Sequence, residues 1–264
     1  MQPLLPPRQM DILETARREG RVTVDSLANR FDVTPQTIRK DLNDLCDREI
    51  LHRVHGGAVF PSNTVNLAYQ SRREIAAGGK VRIGEKVAEL IPDNASLILN
   101  IGTTTEAVAS ALTRHEGLMV ITNNLNVAMI LSEAPGVELV ISGGMVRKSD
   151  RGIVGAAAID LIRQFKVDYA IIGASAIDEE GALLDFDYRE VRVAQAILAQ
   201  ARKKILVADA TKFERRAPVQ IGHISEMDCF VTDAPPPDGI AELCEVAGVS
   251  VTVAEPLQSE LVYG

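Results

Sequence analysis

Two stretches of this 264-residue chain combine residue types and spacing that could do chemistry. The first, Gly102-Thr103-Thr104-Thr105, stands between an apolar run and a helical pattern. Glycine lets a backbone approach closely, three hydroxyls can donate, and a helix N-terminus offers free N–H groups and a favourable dipole. Together these suit a phosphoryl group, although an ordinary capped turn would use the same residues. No Gly-Lys-Ser/Thr follows, so this is not a nucleotide P-loop. Other polar residues fall where strands are expected to end. Asn123 and Asn124 suit hydroxyls, and Gly143-Gly144 and Gly152/Gly155 suit close backbone approach. Asp209 and Lys212 follow the strand Ile205–Ala208, where Lys212 suits a phosphate or carboxylate, although a lone lysine is more often solvated.

The second stretch is Val22 to Asp47. Thr23 can cap a short helix carrying Leu27 and Phe31, a tight turn follows at Asp32-Val33, and Thr34-Pro35 opens another helix. In that helix Ile38, Leu42 and Leu45 recur at i, i+4 and i+7 and must face a core. Gln36, Thr37, Arg39, Lys40 and Asn43 are left outward near its N-terminal half, the arrangement of a recognition helix in a DNA major groove. Arg and Gln pair bidentately with guanine and adenine edges, while Thr34, Thr37 and Lys40 suit phosphates or base edges. Leu51 to Phe60 reads as two short strands around Gly56-Gly57, a wing carrying Arg53, His52 and His55. Each histidine reads either as a phosphate donor or as a surface residue.

These residues need two kinds of scaffold. Residues 5–60 read as a winged helix-turn-helix, the helix-turn-helix itself spanning about 22–41. Pro61-Ser62-Asn63-Thr64 begins a linker over 61–75. Residues 76–255 then repeat an apolar strand, a polar turn and a helix. Strands are expected at Ser96–Ile101, Leu118–Ile121, Val137–Ile141, Tyr169–Ile172, Ile205–Ala208, Cys229–Thr232 and Val249–Val253, with helices filling most gaps, among them Tyr188–Ala201. That alternation predicts an α/β fold with a mostly parallel sheet covered on both faces, whose ligands sit at the carboxyl ends of the strands.

Composition excludes other classes. At 46% hydrophobic and 24% charged residues the chain is not intrinsically disordered. Three widely spaced cysteines give neither a disulfide framework nor a thiolate metal site, and no metal or cofactor is expected. The N-terminal residues lack a signal-peptide core and no run is long enough to span a membrane, so a cytoplasmic protein is expected. The net charge of −8 disfavours nucleic-acid binding at first sight. However, residues 1–60 hold nine Lys/Arg and nine Asp/Glu, so the whole excess lies in the remainder.

Pro35 to Asn43 followed by His52-Arg53-Val54-His55-Gly56-Gly57-Ala58 resembles the signature of the DeoR family of bacterial repressors. The likeness continues through Thr122–Ala128, Asp185–Tyr188 and Thr232–Pro237. It implies a homo-oligomeric (dimer or tetramer) repressor that binds double-stranded operator DNA and is released by a small phosphorylated polyol, with glycerol 3-phosphate the expected effector and another sugar phosphate the alternative. The larger domain also resembles ribose-5-phosphate isomerase, in Arg189-Glu190 before a helix and in Val207 to Lys212. Ser175 stands where that enzyme has an essential aspartate, and its Lys-Gly-Gly-Gly run has no counterpart before Glu190. The resemblance therefore implies a sugar-phosphate pocket without catalytic residues. Glu190 would contact the polyol, cap its helix or pair with Arg192, and an active isomerase is the rival reading.

Overall fold

The computed structural model describes residues 5–19, 21–48, 50–54, 56–59 and 69–255. They divide into two compact units, Met1–Ile75 and Ala76–Gly264.

The first unit runs α1 (Pro7–Glu19), β1 (Arg21–Thr23), α2 (Val24–Phe31), α3 (Pro35–Asp47), β2 (His52–Val54), β3 (Gly57–Val59) and α4 (Tyr69–Glu74). The expected start signals operate: Thr23 accepts from the Ser26 N–H at 3.2 Å, and Thr34 accepts from the Thr37 N–H at 3.3 Å with Pro35 behind it. Asp32 ends α2 in the left-handed region, at φ 50°. Ile12 and Ala16 of α1, Leu27 of α2, and Ile38, Leu42 and Leu45 of α3 share one buried core. The wing strands β2 and β3 pair antiparallel, and β1 adds a third strand that the sequence pattern did not suggest. Its approach is so close that a Cβ on Gly57 would sit 2.0 Å from the Val22 carbonyl oxygen, which only glycine avoids. The segment read as a linker carries α4 over Tyr69–Glu74; its residues 61–68 lie outside the described residues.

The second unit begins α5 (Ala77–Leu90), β4 (Ser96–Leu99), α6 (Thr103–Leu112), β5 (Leu118–Thr122), α7 (Leu125–Leu131), β6 (Val137–Ile141), β7 (Met145–Val146), β8 (Ile153–Val154), α8 (Ala156–Ile162) and β9 (Val167–Ile172). It continues β10 (Ala176–Ile177), β11 (Ala182–Asp185), α9 (Tyr188–Ala199), β12 (Ala201–Val207), β13 (Val219–His223), β14 (Cys229–Thr232), α10 (Asp238–Ala247) and β15 (Ser250–Val253). The main sheet is wholly parallel, in the order β15-β14-β12-β9-β4-β5-β6. Ile83, Val87, Val108, Leu112, Val127 and Leu131 of α5, α6 and α7 pack on one face. On the other, α8, α9 and α10 contribute Ile162, Ile197 and Ile240. This two-sided burial is why the strands read as unbroken apolar runs.

Strand order reverses beside β4: β5 and β6 extend the sheet one way, while β9, β12, β14 and β15 extend it the other. The carboxyl edge at this reversal is where such sheets bind ligands. Two features were not expected. β10, β11 and β13 form a separate antiparallel sheet, and β7 and β8 form a hairpin beside the strand ends. Several of these strands are only two residues long, too short to leave a period-2 pattern.

Candidate nucleic-acid interface and strand-end site

On α3 the core-facing residues Ile38, Leu42 and Leu45 are fully buried. Gln36, Arg39, Lys40 and Asn43 are exposed, as is Thr34 before the helix, and Thr37 is half-buried. The hydroxyls of Thr34 and Thr37 lie 2.9 Å apart, so both threonines share the cap. Arg53 is exposed on the wing, the His52 side chain is not described, and His55 lies outside the described residues. Asp41 is buried among the helices, where Arg8 Nε donates to it at 2.6 Å. Gln9 Nε2 reaches Asp41 at 3.4 Å and Asp44 at 3.3 Å. Part of the acid of α3 is thereby neutralised by α1. Spacing along α3 carried no sign of this, because the partners lie some thirty residues upstream.

In the second unit the polar residues gather at the carboxyl edge of the sheet. Asn100, Asn123, Ser142 and Asp209 directly follow or lie just beyond β4, β5, β6 and β12, and Thr232 ends β14; all five are buried. Asp209 Oδ2 lies within ion-pair range of two lysines, while Asn100 Oδ1, Asn123 Oδ1, Ser142 Oγ and Thr232 Oγ1 have no hydrogen-bond partner among the described residues. Such groups are rare and costly, on the order of 1–3 kcal/mol each. Four on one edge make it the candidate ligand site.

Two buried lysines flank Asp209. Lys80 Nζ of α5 lies 3.5 Å from Asp209 Oδ2, and Lys212 Nζ lies 4.0 Å from the same atom. Burial pushes Asp209 up, but Lys212, Lys80 and the hydroxyl and N–H of Thr211 outweigh it and hold the carboxyl at about 2. Both ammonium groups thus converge on one buried carboxylate at the sheet edge. Lys80, on the first turn of α5 and outside the expected strand ends, gave no sequence signal.

At the start of α6, Gly102 takes φ 147°, Thr103 is half-buried and Thr104 is buried. The expected three-hydroxyl cradle loses Thr105, whose Oγ1 donates to the carbonyls of Asn100 and Gly102, each at 2.8 Å. Asn124 also departs from expectation. Its Oδ1 caps α7 through the Asn126 N–H at 2.9 Å, and its Nδ2 donates to Glu106 at 3.3 Å. Gly143 is exposed with open space where a Cβ would stand, so no close approach requires it. The expected close approach does occur at Gly152, where a Cβ would lie 2.4 Å from Ile101 Cδ1. There the β7–β8 hairpin presses on the strand ends, with Asn123 Nδ2 donating to the Ile153 carbonyl at 3.1 Å.

Glu190 pairs with Arg147 of that hairpin, not with Arg192 as one expectation had it. Arg147 also donates to Asp150 at 2.9 and 2.5 Å and to Asp187 at 3.0 Å. Asp187 caps α9 and is held well below the carboxylate range, chiefly by Arg189 and further by Arg147. Glu190 goes the opposite way. Burial, then the neighbouring charge of Asp185, push it up to about 7 against the pull of Arg147. Ser175 donates to Asp185 at 2.8 Å. Among the described residues no cluster of three metal-ligating side chains occurs, and no helix is long and apolar enough to cross a membrane.

Comparison with known proteins fits both regions. Residues 8–64 match the DeoR-like helix-turn-helix domain, and residues 75–234 match the DeoR C terminal sensor domain. The chain is 44% identical over 236 residues to the glycerol-3-phosphate regulon repressor of Escherichia coli (strain K12), covering 89% of this chain and 94% of that protein. It is 44% identical over 229 residues to the repressor of the same name from Haemophilus influenzae, covering 86% and 89%. A solved ribose 5-phosphate isomerase from Methanocaldococcus jannaschii aligns over 52% of this chain and 55% of its own, at 14% identity and a TM-score of 0.39.

Proposed function

Because this chain belongs to the DeoR family of transcriptional regulators, we propose that it represses genes of glycerol 3-phosphate metabolism and leaves its operator when a phosphorylated polyol binds at the strand ends. It is a regulator rather than an enzyme. The observation that carries the effector reading is the carboxyl edge, where two buried lysines converge on Asp209 beside four buried oxygens that lack a hydrogen-bond partner among the described residues.

A phosphate monoester supplies what that edge lacks. Its anionic end suits Lys80, Lys212 and the N-terminal turn of α6 with Gly102, Thr103 and Thr104, and its hydroxyls suit the unpartnered oxygens. Asp209 keeps the two lysines from repelling each other. On the DNA side, Gln36, Arg39 and Asn43 read base edges, while Thr34, Thr37, Lys40, Arg53 and His55 meet phosphates. A homo-oligomer presents two such helices to a two-fold operator. Coupling between sites of this kind typically amounts to ~1–3 kcal/mol, or about 5- to 150-fold in operator affinity.

The test is calorimetric titration of the full chain with a panel of sugar phosphates, followed by operator-binding assays at fixed salt. Glycerol 3-phosphate should bind and weaken the operator complex. If it fails to bind while a hexose or pentose phosphate binds tightly, the effector is another sugar phosphate. Turnover of any of these esters would overturn the sensor reading.

A further inference from the structure

Three of the unpartnered groups stand in a single row. Leu99 pairs with Thr122, and Thr122 with Ile141, in the parallel ladder. The ladder persists one residue further, with the Asn100 N–H on the Ile171 carbonyl at 3.1 Å and the Ser142 N–H on the Thr122 carbonyl at 2.9 Å. Side chains alternate along a strand, so Asn100, Asn123 and Ser142 share the face opposite Leu99, Thr122 and Ile141. Neighbours in the row lie about 5 Å apart, the spacing of adjacent strands.

Asn123 sets the polarity of this row. Its Nδ2 is committed to the Ile153 carbonyl of the hairpin, which leaves Oδ1 as the buried atom without a partner. An amide oxygen can only accept. Whatever atom of the ligand meets it must therefore carry a hydrogen.

Building on the effector reading above, we infer that the row Asn100–Asn123–Ser142 reads the oxidation level of the ligand's carbon chain, admitting an alcohol and rejecting a carbonyl at the carbon that meets Asn123. A hydroxyl completes the buried acceptor. A ketone oxygen would set lone pairs against lone pairs and leave both groups unmet, and sites built to hydrogen-bond a hydroxyl discriminate strongly against analogues that lack one. A sensor of this design answers to the reduced polyol phosphate and ignores its oxidised counterpart, so the reaction that ends its signal is an oxidation of that alcohol.

The experiment compares three esters by calorimetry on the full chain: glycerol 3-phosphate, 3-hydroxypropyl phosphate (no middle hydroxyl) and dihydroxyacetone phosphate (a middle carbonyl). The deoxy ester forms no hydrate, so its arm is free of the gem-diol that dihydroxyacetone phosphate contains in water. Glycerol 3-phosphate should bind at least tenfold more tightly than either. In Asn123→Ala that ratio should fall toward one, and in Asn100→Ala it should fall in part. A ratio is the chosen readout because loosening of the hairpin would weaken all three esters together. Equal binding of the three esters by the unmodified chain overturns the inference and leaves the phosphate reading standing, as does a ratio that both variants preserve. Failure of all three esters and of inorganic phosphate to bind overturns the two readings together.

Discussion

Glu190→Gln isolates the balance of forces around Arg147. The Glu190 carboxyl has an ordinary value of 4.5 and is pushed up to about 7 in the folded chain, because burial and Asp185 outweigh the attraction of Arg147. In the unfolded chain the proton leaves near pH 4.5, whereas in the fold it stays until about pH 7. The folded state therefore binds more protons throughout that window. Stability from this group is fully present below pH 4.5, declines as pH rises toward 7 and is lost above it. At 1.36 kcal/mol for each pKa unit, the change is about 3 kcal/mol. Glutamine keeps the shape of the neutral acid and cannot ionise. Arg147 retains Asp150 and Asp187 in the variant. Urea unfolding of both proteins at several pH values between 4.5 and 8, following the transition of the larger unit, gives the comparison. The variant should gain on the parent by up to about 3 kcal/mol across the range, whatever other groups titrate in both. Parallel profiles, or a variant that loses ground as pH rises, would refute the reasoning and show that the Arg147 ion pair dominates.

Other expectations follow from single contacts. Arg39→Ala should cost ~1–3 kcal/mol in specific operator binding at constant salt; a mobility-shift titration with unchanged affinity would count against α3 as the reading helix. Gly152→Ala forces a methyl into Ile101 and should lower stability by about 1–3 kcal/mol in chemical denaturation, with weaker ligand binding as the hairpin shifts. Asp41→Ala removes a buried acceptor shared by Arg8 and Gln9; a loss on the order of 1 kcal/mol is expected from unfolding of the smaller unit, and no loss would mean that α1 and α3 are held by apolar packing alone.

Much of this molecule is legible along the chain because it depends on local periodicity. Ile38, Leu42 and Leu45 mark the buried face of α3, and the same spacing leaves Arg39 and Asn43 outward. Thr34-Pro35 announces where that helix begins. The apolar runs at Leu97–Leu99, Val120–Ile121 and Ile205–Val207 announce a sheet covered twice, and the turns after them point to the ligand edge. The capping roles of Thr105 and Asn124 are also local, within five residues, yet a list of residue types cannot distinguish a hydroxyl aimed at a ligand from one turned back on its own carbonyls. That choice needs coordinates.

What only the tertiary structure decided is which distant groups share a site. Lys80 meets Asp209 across 129 positions of sequence, and Arg147 crosses from the connection between β7 and β8 to Glu190. Asn100, Asn123 and Ser142 come level because parallel register aligns strands that begin some twenty residues apart. The helices around the reading helix and the strands of the main sheet were legible along the chain, since they follow from short-range patterns of burial and capping. Tertiary structure determined the chemistry of the site, because charge pairing and unmet hydrogen bonds depend on distances that no periodicity encodes.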